Sequence, residues 1–201
     1  MRKSVFVFAF ILPALMNAQN PSGYKIGDAV ADFRLKNVDG KMVSLSDQKE
    51  AKGAIVIFTC NHCPYAKAYE QRIIDLDKQF RPQGFPVIAI NPNDPKRVPD
   101  DSFEHMVKRA KEKKYPFPYL VDETQQVART FGATRTPQVF LLNRSGDKWV
   151  VSYIGAIDDN TEDAGAVKNA YVINAINALL KGEEPPVRET KAIGCTIKWK
   201  V

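Results

Sequence analysis

The run Ala54-Ile55-Val56-Ile57-Phe58-Thr59, set between Gly53 and Cys60, constrains the fold more than any other stretch of the chain. Too short for a core helix and rich in β-branched residues, it suits a strand buried on both faces of a sheet. A strand of that kind needs a layer of structure on each side. The chain beyond it supplies one: Tyr65, Tyr69, Ile73, Leu76 and Phe80 recur at helical spacing, Lys67, Glu70, Arg72 and Asp77 fill the other face, and Pro64 suits a first helical turn.

The same alternation continues. Residues 86–90 read as a second buried strand, closed by the turn-rich Asn91-Pro92-Asn93-Asp94-Pro95. Asp101 is a candidate N-cap, with Glu104 placed as in a capping box, for a helix carrying Phe103, Met106, Val107 and Ala110. After a short extended piece at 119–121, Asp122 can cap a helix that runs to Phe131 and stops at Gly132. Residues 138–143 and 148–154 predict an antiparallel hairpin, and a final helix is predicted from about Asp163 to Lys181. Upstream, Phe33 and Leu35, then Val43 and Leu45, alternate around Asp39-Gly40, the pattern of another hairpin. The expectation is an α/β domain over residues 24–182, with a mixed central sheet flanked by helices, an N-terminal β-hairpin extension and a C-terminal tail at 183–201.

The first eighteen residues follow a different logic. Arg2 and Lys3 precede an apolar stretch from Val5 to Met16 that is too short to span a bilayer, and Ala18 offers a small residue for processing. Residues 1–18 therefore read as a signal peptide, and the protein as exported to a periplasmic or other extracytoplasmic space. No cysteine follows the apolar run to take a lipid, so the mature form is expected to have no membrane anchor. Without Arg2 and Lys3 the formal charge falls from +6 to +4, with 27 basic residues against 23 acidic ones. The basic residues are interspersed with acids and lack interleaved aromatics, which argues against nucleic acid as a partner.

A chain of 201 residues can build a core without covalent staples, so its three cysteines need another explanation. Two of them form Cys60-Asn61-His62-Cys63, between the end of the buried strand and the start of the helix. There the unpaired N–H groups and the helix dipole stabilise an anion, and a thiolate at Cys60 is expected below the usual thiol range. Cys63, two residues on, is near enough to displace a mixed disulfide formed at Cys60. Cys60 is thus the candidate nucleophile, as the more exposed of the two, and Cys63 the resolving thiol within the first turn. His62 is expected to support the Cys60 thiolate. Thr136-Pro137 opens a predicted strand, where a cis peptide would set the Thr136 backbone against the cysteines to pair with a bound chain, although trans is the commoner state of such a bond.

With these residues in view, the chain resembles the thioredoxin-like superfamily, in the redoxin branch that holds exported thiol-disulfide oxidoreductases and peroxiredoxins of the alkyl hydroperoxide reductase type. The likeness covers about residues 24–182: Asp32-Phe33-Arg34-Leu35 with Asp39-Gly40, the strand leading into Cys60-Asn61-His62-Cys63, and Thr136-Pro137 at the family's cis-proline position. The resemblance implies a thioredoxin-like fold, Cys60 as nucleophile, Cys63 as its partner, Asn61, His62 and Thr136 in support, and Pro137, now cis, as the peptide-side wall. It implies disulfide exchange with protein thiols and a further redox partner, and no metal or organic cofactor is expected. Two departures stand out: thioredoxins usually carry Trp before the first cysteine and Gly-Pro between the pair, and a buried acid in the preceding strand, where 54–58 has none.

Three other readings compete. A peroxidase would use Cys63 before Pro64 with Thr59, but the family spacing Thr-x-x-Cys is exceeded by one residue. A zinc site would need Cys195 with His62 or His105 to complete the pair, and the usual second motif is missing. The acids Asp158, Asp159, Glu162 and Asp163 lack the Gly and spacing of a calcium loop. Cys195 is the remaining thiol. Its alternation with Ile197 and Trp199 suits burial in an added strand, and a fold-back of the tail to exchange with Cys60 is the redox alternative.

Overall fold

The structure is a computed structural model and describes residues 23–201; the expected signal peptide lies outside the described residues. In chain order the elements are β1 (Ala29–Val30), β2 (Arg34–Asn37), β3 (Met42–Ser44), β4 (Gly53–Phe58) and α1 (Pro64–Phe80). There follow β5 (Val87–Asn91), α2 (Phe103–Lys113), β6 (Tyr119–Val121), α3 (Gln126–Phe131), β7 (Arg135–Thr136) and β8 (Gln138–Ser145). The chain closes with β9 (Lys148–Gly155), α4 (Tyr171–Leu180) and β10 (Cys195–Thr196).

The main sheet has the order β1-β9-β8-β4-β5-β6-β2-β3 and is mixed. β4 pairs parallel with β5 and antiparallel with β8, so Val56 stands between Ile88 and Phe140. Side chains alternate across this strand. Ile55 and Ile57 enter one core with Tyr69, Ile73, Phe80 and Ile176 of the flanking helices. Ala54, Val56 and Phe58 enter the other, against α3 through Ala128 and Phe131. All six residues of β4 are buried, which is why the sequence shows no polar alternation there. Each fully buried aliphatic side chain contributes about 1.5–3 kcal/mol relative to exposure.

The hairpin at Asp39-Gly40 forms as expected: Gly40 takes φ +84°, and the Asp39 carboxylate accepts from Lys41 N at 2.9 Å. Three expected boundaries differ. Ser102, not Asp101, caps α2, and its Oγ accepts from His105 N while Asp101 is drawn inward. Gln125 stands at the N-cap of α3 with φ +60°, although Asp122 still accepts from Ala128 N at 2.8 Å. α4 begins at Tyr171 rather than near 163, because the Asp159 carboxylate holds Lys168 N and Asn169 N, each at 3.0 Å, in a loop. Asp158, one of the acids weighed for calcium, is instead bonded to Tyr69 Oη and Arg72. Among the described residues no helix is long and apolar enough to cross a membrane.

Candidate active site

β4 delivers its carboxyl end to one rim of the sheet, where Thr59 N bonds Ile90 O at 2.9 Å before the chain turns at Cys60. Cys63 is the N-cap of α1 and extended (φ −63°, ψ 126°), and Pro64 takes the first helical position, where a missing N–H costs nothing. Cys63 is therefore one residue earlier than a first-turn position. Both thiols are buried, and Cys60, at 5% exposure against 0% for Cys63, is the outer one.

The turn between them is held by a residue that sequence reasoning treated only as a helix cap. Asp101, 2% exposed, accepts from Asn61 N at 2.6 Å, His62 N at 3.3 Å, Asn93 Nδ2 at 2.8 Å and His62 Nδ1 at 2.5 Å. Asn61 completes the clamp: its Nδ2 donates to Asp100 O at 2.8 Å and its Oδ1 accepts from Tyr119 Oη at 3.0 Å. Behind Cys60 a narrow cavity reaches Glu70 of α1, a buried acid tied to Arg109 and, at 3.0 Å, to Tyr115 Oη.

The sequence-predicted residues converge here. Cys60 Sγ lies 3.2 Å from Thr136 Oγ1 and 3.5 Å from His62 Nδ1. Thr136–Pro137 is cis, and Thr136 O accepts from the Cys63 thiol at 3.2 Å. The edge reserved in expectation for a bound chain is occupied by the protein's own tail: β10 pairs antiparallel with β7, Cys195 opposite Thr136. Cys195 is half-buried, and its sulfur stands 2.7 Å from that of Cys63, so the expected burial is incomplete and the expected approach to Cys60 is replaced by one to Cys63. Gly194 makes this crossing feasible. A Cβ there would lie 2.2 Å from Thr136 O, so Gly194→Ala is expected to cost about 1–3 kcal/mol. Urea unfolding would register the loss.

The ligand atoms of Cys60, His62 and Asp101 lie within 4.8 Å of one another. His62 Nδ1, however, is spent on the carboxylate, and His105 is exposed and bonded to Ser102 Oγ and Pro99 O, away from the thiols. Of the two histidines weighed for a zinc set, His105 thus stands apart from the thiols, and His62 is beside Cys60 but bonded to Asp101.

Ionisation is ordered opposite to expectation. Cys60 is pushed above the usual thiol range first by its Cys63 neighbour, then by burial and by the nearby Asp101 charge. Cys63 is held below that range, first by the neighbouring Cys60 side chain, and also by the Cys195 side chain and the N–H groups of Ala66 and Cys195. The helix N-terminus stabilises a thiolate as anticipated, but on the cysteine that occupies the cap. Since folding lowers the Cys63 pKa, its contribution to stability is present above the ordinary thiol value and lost as pH falls through the depressed one. Cys63→Ser is expected to flatten the acid side of the stability profile, measurable by urea unfolding between pH 4 and pH 8.

Among proteins of known sequence, the chain is similar to the thiol-disulfide oxidoreductase ResA of Halalkalibacterium halodurans, 25% identical over 61% of this chain and 65% of that protein. The chain thus spans less than two thirds of that relative's length. An uncharacterised conserved protein from Geobacillus kaustophilus superposes with a TM-score of 0.81 at 38% identity, covering 88% of this chain and 93% of that one. An exposed lipoprotein thioredoxin from Streptococcus pneumoniae shares the fold alone, with a TM-score of 0.55 at 22% identity over 76% of this chain and 99% of its own. The fold is thioredoxin-like, as the sequence resemblance implied. Residues 26–174 match the model of the AhpC/TSA family, and the chain belongs to that family.

Proposed function

We propose that the protein is an exported thiol-disulfide oxidoreductase that exchanges disulfides with protein thiols through Cys60-Asn61-His62-Cys63. The observation that carries this reading is the position of the two sulfurs at a strand-to-helix junction, both against Thr136, with Cys60 Sγ 3.2 Å from its Oγ1, Cys63 Sγ 3.2 Å from its carbonyl oxygen, and Cys60 outermost. Cys60 gives its proton to the neighbouring Cys63 sulfur and attacks the client disulfide as the thiolate. One client sulfur leaves and takes that proton from Cys63 to become a thiol, and the other is joined to Cys60. Cys63, deprotonated again under the N–H groups of Ala66 and Cys195, attacks Cys60, releases the second client thiol and closes Cys60–Cys63. Two electrons pass from the dithiol to the client. The reverse sequence oxidises a client dithiol, and the potential of the resetting partner fixes the direction. Arg2, Lys3, the apolar run and Ala18 support export.

Reduction of insulin disulfides with dithiothreitol as electron source tests the reading, run beside hydrogen peroxide consumption. Catalysed insulin reduction that is lost in Cys60→Ser is expected. Fast, saturable peroxide consumption that survives Cys60→Ser and disappears in Cys63→Ser, without insulin reduction, would overturn it in favour of a peroxidase. Export is checked by sequencing the N-terminus of the mature protein, expected just after Ala18.

A further inference from the structure

The exchange just described uses two thiols, yet a third is built against them. The Cys63 and Cys195 sulfurs are 2.7 Å apart, whereas a covalent S–S bond is about 2.05 Å. That proximity is imposed by a well-anchored segment. Arg135 donates to Gly194 O at 2.8 Å and Ile197 N to Thr134 O at 3.1 Å, on either side of the thiol. Farther along, Lys198 N donates to Asn93 Oδ1 at 2.8 Å and Lys198 O accepts from Gln125 Nε2 at 2.9 Å. Asn93 in turn donates to Asp101, so the tail hangs from the same network that shapes the Cys60 turn.

We infer that Cys195 is the third member of a thiol relay, which attacks Cys63 in the Cys60–Cys63 disulfide to form Cys63–Cys195 and set Cys60 free. The inference rests on the proposed exchange, which supplies the first disulfide at the expense of a client protein disulfide. In the relay step the Cys195 sulfur gives an electron pair to Cys63 Sγ, and the bond between Cys60 and Cys63 breaks. Cys60 leaves with the electron pair of the broken bond and receives the proton that Cys195 loses. No electrons enter or leave the protein. Thr136 Oγ1, 3.2 Å from Cys60 Sγ, is placed to hydrogen-bond the released group. The freed Cys60 attacks a second client while Cys63 is occupied. That mixed disulfide is then resolved by the client's own thiol, so the client leaves with a rearranged disulfide instead of a reduced one.

The test oxidises the reduced full chain with one equivalent of oxidised glutathione, blocks free thiols with iodoacetamide, and maps the species carrying one label and no glutathione. The relay places the label on Cys60 in about a tenth of that species or more, with the rest on Cys195. Label on Cys195 alone, or on Cys63, would overturn it. Cys60→Ser, oxidised in the same way, provides the second measurement. A Cys63–Cys195 bridge is expected, and two free thiols would contradict the inference. The two readings fail separately: normal insulin reduction with label only on Cys195 removes the relay alone, and label on Cys60 without insulin reduction removes the exchange function alone.

Discussion

Cys60→Ser is expected to lower the rate of insulin disulfide reduction by about 10³-fold or more. A serine hydroxyl neither ionises at neutral pH nor forms a bond to sulfur that a second thiol can displace. The position leaves no substitute: Cys63 is fully buried beneath Cys60, and Cys195 is turned toward Cys63. The substitution is nearly isosteric and Thr136 Oγ1 remains available to the hydroxyl, so the fold should survive and the lost rate will report chemistry. Circular dichroism of the variant checks that the comparison is fair. A Cys60→Ser protein that keeps its insulin reductase activity would sink the mechanism.

Asp101 is where the second large effect is expected. Its carboxylate accepts four hydrogen bonds in a site almost closed to solvent. Asp101→Ala leaves those donors buried without acceptors, at a cost of about 3 kcal/mol or more, read in urea unfolding. Asp101→Asn separates charge from packing. It keeps an acceptor oxygen and removes the negative charge that, after the Cys63 hydrogen bond and burial, holds Cys60 in its thiol form. Cys60 should then ionise at lower pH. The rate of its alkylation against pH, followed by peptide mapping, is expected to shift toward acid in Asp101→Asn. An unmoved profile would mean that the Asp101 charge does not reach the thiol.

What the sequence disclosed and what it hid divide along contact distance. The β4 run, the α1 periodicity and the Asp39-Gly40 turn are local patterns, and each predicted element formed where its pattern lies. The Cys60–Cys63 spacing is equally local. Asp101 was hidden because its bonds run to Asn61 and His62 some forty residues away, while its own neighbourhood resembles a helix cap. Ser102 takes the cap and frees the carboxylate for the turn. The tail shows the same limit. The alternation of Cys195 and Ile197 with exposed Thr196 was readable, but the sulfur it faces lies 132 residues away. The ordering of thiol ionisation was missed for a related reason: it depends on Cys63 occupying the cap, on the Cys195 N–H and on the Asp101 charge, and only the first is set by local sequence.

Trapping a client on the protein tests the account most directly. Cys63→Ser removes the thiol that resolves a mixed disulfide and leaves Cys195 facing the place where that sulfur stood. Incubated with a disulfide-bonded client and quenched in acid, this variant is expected to accumulate a covalent complex whose mapped bridge joins the client to Cys60. A bridge to Cys195 instead would contradict the assignment of Cys60 as nucleophile.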